Sequence, residues 1–145
     1  MTDMDETAFR QRLAELHERA CPFAKSILTR CAGCSKSLKH NIAEREIVVC
    51  GSDDAHARCI ALRDLLRHNF TFALGKLNID GPLPHAQEMR MQCGGMKGLQ
   101  FLLDEHDEVS DIHELLNSAQ QKFGELADFP YSQIIRLANS NYKGR

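Results

Sequence analysis

Five of the chain's six cysteines, Cys21, Cys31, Cys34, Cys50 and Cys59, fall within 39 consecutive residues. Four sulfurs that must meet at one point restrict a fold more than any hydrophobic pattern does. A C-x-x-C turn, here Cys31-Ala-Gly-Cys34, brings two of them together at small conformational cost. The others stand where helix or turn boundaries are expected. Cys21 precedes Pro22, Cys50 precedes Gly51, and Cys59 lies about two turns into a long helical pattern. We expect four of these five thiolates to hold a metal centre in a cysteine-rich metal-binding region spanning residues 21–59.

The donor spacing, C-x9-C-x2-C-x15-C-x8-C, decides which metal to expect. Structural zinc sites usually show two close pairs of ligands. Iron–sulfur sites combine a compact group with a distant cysteine. With one close pair and scattered single cysteines, the pattern favours an iron–sulfur cluster, expected to be [4Fe-4S], with zinc as the alternative. The spacing matches neither the bacterial nor the plant-type ferredoxin run. Charge points the same way. From Cys21 to Ala43 there are four cations, Lys25, Arg30, Lys36 and Lys39, and no acid. A tetrathiolate four-iron cluster carries a net charge of about −2, which such a surround offsets. The plain reading of the single cysteines is core packing, since free cysteine behaves as a small hydrophobe. Cys59, on the apolar stripe of its helix, fits that reading well. For Cys93, before Gly94-Gly95, we expect a packing role, with the glycine loop as a wall of the site.

Helical periodicity accounts for most of the remaining chain. Phe9, Leu13, Leu16 and Ala20 draw one stripe. Ala55, Cys59, Leu62, Leu66, Phe70 and Ala73 draw the clearest, opened by Ser52-Asp53-Asp54 and stopped by Gly75. Ile112, Leu115, Leu116, Ala119, Phe123 and Leu126 form a third, capped by Ser110, and Ile134, Ile135 and Ala138 a last. Short helices are expected over Phe23–Arg30, Ser35–Ala43, His85–Gln92 and around Leu99–Leu103, with Cys93-Gly94-Gly95 as a break. Lys76–Pro84 reads as a loop and Asn139–Arg145 as a frayed tail. Ile47-Val48-Val49 reads as a short extended piece. The expected fold is mostly α: one compact helical domain over residues 1–145, with five to seven helices and a cysteine-rich N-terminal half.

Other functional classes lack their signatures. There is no Gly-rich phosphate loop, no H-E-x-x-H and no nucleophile elbow. A formal net charge of −2 and the lack of aromatic interleaving argue against nucleic-acid binding. Without an apolar stretch of spanning length or a secretory pattern, we expect a cytoplasmic protein that does not engage membranes. The acidic run Asp104 to Glu108 lacks calcium-loop spacing and reads as a solvated loop or a docking surface. No small-molecule substrate or catalytic residue is indicated. The expected activity is electron transfer or redox sensing with a protein partner. The alternatives are a zinc-stabilised interaction module and a thiol–disulfide redox protein using Cys31 and Cys34.

Overall fold

The computed structural model describes residues 3–42, 44–73, 75, 83–106 and 108–141. Among them the chain is mostly helical and forms one domain. In order it runs α1 (Asp3–Glu18), α2 (Ala24–Leu28), β1 (Ser37–Ile42), β2 (Arg45–Cys50), α3 (Asp53–Ala73) and α4 (His85–Met89). It continues through a π-helical turn (Arg90–Gly94), α5 (Gly95–Asp104), α6 (Ile112–Phe123), a 3₁₀ turn (Leu126–Asp128) and α7 (Tyr131–Asn141). None of these helices is long and apolar enough to cross a membrane.

The helical stripes become the core. Leu62, Leu66 and Phe70 of α3 meet Met91 and Met96, Leu99 of α5, Ile112 and Leu116 of α6 and Ile134 of α7, all essentially sealed from water. Full burial of a side chain of this size is worth about 1.5–3 kcal/mol, so this cluster holds the domain together. The Ala73 end of the α3 stripe is exposed, and of the α1 stripe only Leu16 is deeply buried. α1 therefore touches the domain at its C-terminal end, where Ala20 bridges to Val49.

Two expectations change. Ser35–Ala43 was expected to be helical, but Ser37–Ile42 is a strand. It pairs antiparallel with β2 in the register Ser37↔Cys50 to Ile42↔Arg45. β2 is β-branched and buries Val48, Val49 and Cys50, so it is the stable partner onto which the more polar β1 folds. Cys93-Gly94-Gly95 was expected to break a helix. Instead α4, the π turn and α5 follow one another without a break, and Met89, Arg90, Gly94 and Gly95 at the junctions are all right-handed helical. Small residues serve close packing here. A Cβ on Gly98 would stand 3.1 Å from the Ile134 carbonyl oxygen and 3.2 Å from the Leu137 Cβ, so α5 and α7 lie in near contact. The expected loop Lys76–Pro84 lies outside the described residues apart from Leu83 and Pro84. So does the tail beyond Asn141, while Asn139–Asn141 continue α7.

Candidate metal centre

The structure divides the six cysteines into two groups. Cys31 and Cys93 form a disulfide across a sequence separation of 62. Cys21, Cys34, Cys50 and Cys59 are free thiols. These four line one enclosed apolar cavity together with Phe23, Ala55 and Ile112. Its volume of about 10 Å³ is roughly the space for one water-sized atom.

Each sulfur arrives on a different element. Cys21 closes the segment after α1, where its N–H donates to the Val48 carbonyl at 2.9 Å. Cys50 ends β2, and its own N–H donates to the Arg19 carbonyl at 2.9 Å. The 19–21 segment thus runs beside β2 and holds Cys21 and Cys50 together. Cys59 points inward from the second turn of α3, whose start is capped by the Ser52 hydroxyl accepting from the Ala55 N–H.

Cys34 is held from below by α6. The Gly33 N–H donates to Val109, the Ile112 N–H donates to Gly33 at 2.7 Å, and the Ser35 N–H donates to the Asp111 carboxylate at 3.0 Å. Asp111 is also the N-cap of α6 and accepts from the His113 N–H. Its carboxyl is pushed up by burial but held below its ordinary value by these donors at Ser35 and His113. The approach is close: a Cβ on Gly33 would stand 2.7 Å from the Ser110 carbonyl oxygen. Glycine is needed at this position for space.

Burial is the main electrostatic influence on three of the four thiols, Cys21, Cys34 and Cys59. Burial, with smaller contributions from Cys34 and Cys50, pushes Cys21 up to about 11, against a backbone N–H from Phe23. Burial, with Cys21 and Cys34 nearby, pushes Cys59 up to about 12, while the Arg58 guanidinium pulls the other way. Cys34 is raised by burial as well, against N–H groups of Lys36 and His113. Cys21, Cys34 and Cys59 are thus each raised by burial and by at least one neighbouring thiol, which favours their neutral form. A cation among them reverses the balance, because it offsets the mutual repulsion of the thiolates. Among the described residues, no three Cys, His, Asp or Glu side chains stand at the spacing that holds a metal ion. Cys50 Sγ, for instance, is turned to the Ser52 carbonyl oxygen at 3.2 Å. Binding would require the thiols to rotate inward and release protons.

The donor chemistry nevertheless fits a thiophilic centre. Four sulfurs are the ligand set of iron–sulfur clusters and of all-cysteine zinc sites. Phe23, Lys36 and His113 aim backbone N–H groups at Cys21 and Cys34, where they would stabilise thiolates. Of the five cysteines proposed from sequence, four are brought together and Cys31 is drawn away to Cys93. The C-x-x-C pair is therefore split between the two groups. Cys93, expected to serve packing only, is instead half of the disulfide. The guanidinium that acts on Cys59 is that of Arg58, held by Asn117 at 2.7 Å, Gln120 at 3.0 Å and the His113 carbonyl at 3.2 Å. Sequence reasoning missed Asp111 and Arg58 as supports, and only the helix-start signal around Ser110 pointed near them.

No known protein family matches the chain, and neither a curated protein nor a solved structure does. The functional reading therefore rests on the site itself.

Proposed function

We propose that Cys21, Cys34, Cys50 and Cys59 bind an iron–sulfur cluster of the four-iron type and that the protein works in electron transfer or redox sensing with a protein partner. The observation that carries this reading is the convergence of four free thiols, from four separate elements, on one cavity. Once Cys31 is removed, the spacing is C-x12-C-x15-C-x8-C. No two of the four form the close pair that structural zinc sites favour. Backbone N–H groups at Cys21 and Cys34, with Arg58 beside Cys59, supply the hydrogen bonds and positive charge that an anionic cluster calls for. When bound, such a cluster supplies one-electron transfer. The chain's part is to exclude water with Phe23, Ala55 and Ile112, and to hold the sulfurs through β2, α3 and the Asp111 brace. Two of the thiols also border open clefts, Cys34 beside Gly33 and Ser110 and Cys21 beside Pro22 and His56, so a partner or an incoming metal has two sides from which to reach the centre.

The second reading is a single zinc ion in the same four thiolates, holding an interaction module together. A cavity with room for about one atom suits a single ion as it stands, whereas a four-iron cluster requires the elements carrying the four thiols to move apart.

Anaerobic purification followed by iron, acid-labile sulfide and zinc analysis, with a visible spectrum on the same sample, tests both. We expect a brown protein with about four irons per chain and a broad band near roughly 400 nm. One zinc and no colour selects the second reading. A metal-free protein that takes up neither iron and sulfide nor zinc on reconstitution refutes both.

A further inference from the structure

We propose that the Cys31–Cys93 disulfide is a thiol-exchange site that takes small anionic thiols through the basic cleft beside it. The proposal is separate from the four-thiol centre and does not rest on it.

The two sulfurs are unequally placed. Cys31 is half-buried and borders a solvent-open cleft of about 560 Å³. Cys93 is 1 % exposed, inside the π turn. An incoming thiolate therefore has one sulfur to attack, Cys31 Sγ, and one leaving group, Cys93 Sγ. The leaving sulfur has polar neighbours although it is buried. The Thr29 hydroxyl stands 3.7 Å from both sulfurs, and Ser26 Oγ stands 4.0 Å from Cys93 Sγ. A purely structural disulfide sealed in the core would need neither access nor these hydroxyls.

The cleft also selects by charge. Arg30, Lys39 and Lys97 line it, against one acid, Glu108. Lys39 reaches a carboxylate, Glu46, only at 3.9 Å and with both side chains about half exposed. Three cations facing one anion leave a positive potential at the mouth, which concentrates anions and speeds their encounter in a salt-sensitive way. Backbone geometry adds to the opening. Arg30 sits at φ 66°, a left-handed conformation that turns the chain out of α2 and sets Arg30 beside Cys31.

The exchange balances as follows. A thiolate RS⁻ attacks Cys31 Sγ, forming a new S–S bond as the Cys31–Cys93 bond breaks. The electron pair leaves on Cys93 Sγ, which takes a proton from water and then donates to Ser26 Oγ. A second RS⁻ attacks the mixed disulfide and releases R–S–S–R and the Cys31 thiolate, which is protonated by water. Two thiols are oxidised and one protein disulfide is reduced.

The test uses the full chain prepared without reductant, with Cys31 and Cys93 followed by differential alkylation and peptide mass mapping. Non-reduced digestion should show the Cys31–Cys93 linkage. A different linkage, or free thiols at both positions in air-oxidised protein, overturns the proposal. Reduction is then timed with 2-mercaptoethanesulfonate and with 2-mercaptoethanol, and the rates are compared per thiolate. At low salt the sulfonate should react about tenfold faster, and in roughly 0.5 M salt the advantage should largely vanish. Lys39→Gln combined with Lys97→Gln should bring the two low-salt rates together. Cys93→Ser, which leaves Cys31 as a free thiol, should exchange with the symmetrical disulfide of 2-mercaptoethanesulfonate, retaining one thiol as a mixed disulfide at Cys31 and releasing the other as free thiolate. Equal rates for the two thiols, or an adduct at Cys34 in place of Cys31, refute the assignment. Cys31 and Cys34 share one peptide, Cys31–Lys36, so fragment-ion spectra assign the label to one or the other and keep these outcomes independent of what the other four cysteines bind.

Discussion

Cys59→Ala separates the two meanings that a buried cysteine can have. Cys59 is 8 % exposed and lies on the packed face of α3 among the core side chains. If it were only a small hydrophobe, replacing it would remove one buried sulfur and leave a gap of about methyl size. The cost is then about 1 kcal/mol, or a melting point lower by about 3 °C for a chain of this length. That cost would be the same whether or not metal is present. As a ligand, Cys59 is one of four thiolates, and metal binding to such a set is itself folding free energy, about 10–16 kcal/mol in small structural zinc domains. Losing one ligand in four should then remove several kcal/mol from the loaded protein and only about 1 kcal/mol from the stripped one. Guanidinium unfolding of wild type and Cys59→Ala, each as purified and after chelation, reads all four states. We expect the stabilisation by metal seen in wild type to be largely lost in the variant, along with its metal content. A penalty of equal size in both states would refute the ligand reading and return Cys59 to packing. Cys93→Ala is the control, because it breaks the disulfide while leaving the four thiols in place and should retain metal.

Two further predictions concern the scaffold. Gly33→Ala places a Cβ against the Ser110 carbonyl at a distance real contacts do not reach, so the 31–34 loop must move away from α6. We expect a loss of about 1–3 kcal/mol and weakened metal retention, measured by chelator competition. A Gly33→Ala protein as stable and as well loaded as wild type would show that the bracing of Cys34 by α6 is unimportant. Arg67 donates twice to Glu88, at 2.7 and 3.0 Å, and Glu88 is 1 % exposed, accepting also from the Leu83 N–H and from Gln92. Burial pushes the Glu88 carboxyl up, but Arg67 and the other donors outweigh it and hold it below its ordinary value of 4.5. A depressed carboxyl stabilises the fold above its unfolded-state value, and that contribution fades as pH falls through the folded one. Arg67→Met should therefore cost about 3–5 kcal/mol near neutral pH and clearly less near pH 4, where Glu88 can take up a proton. Denaturation midpoints at the two pH values check this, and a pH-independent penalty would assign the loss to packing.

The helices were legible because their stripes are long and one-sided. Leu62, Leu66 and Phe70, or Leu115, Leu116 and Ala119, repeat at helical spacing and have no other reason to do so. β1 was not legible because it has no inward face: along Ser37–Ile42 no residue is fully buried, so neither period is imprinted on it. Its conformation is set by the β-branched partner strand, which was readable. The π turn was hidden for a related reason. Glycines at 94 and 95 are compatible with a helix end and with close packing inside a helix. A Cβ on Gly95 would meet the Leu66 side chain at an ordinary 3.7 Å, and the tight approach in this stretch lies at Gly98, 3.1 Å from the Ile134 carbonyl oxygen.

The cysteines show where local pattern misleads. Proximity in sequence joins Cys31 to Cys34, and every motif-based reading starts from that pair. The fold instead uses Ala32-Gly33 as a short strap between two sulfur systems. Ala32 bridges to Val109, Gly33 is bonded to Val109 and Ile112, and Ser35 is bonded to Asp111, so the strap is fastened to the start of α6 along its length. At one end Cys31 is tied to the π turn through Cys93, and at the other Cys34 enters the four-thiol cavity. A chain fixed this closely has little slack. Opening the disulfide frees one end of the strap, and the Val109 and Asp111 bonds then carry alone the task of holding Cys34 in register with Cys21, Cys50 and Cys59. The two sulfur systems are chemically separate but mechanically adjacent. The geometry of the four-thiol site therefore depends on a residue, Gly33, that supplies no ligand.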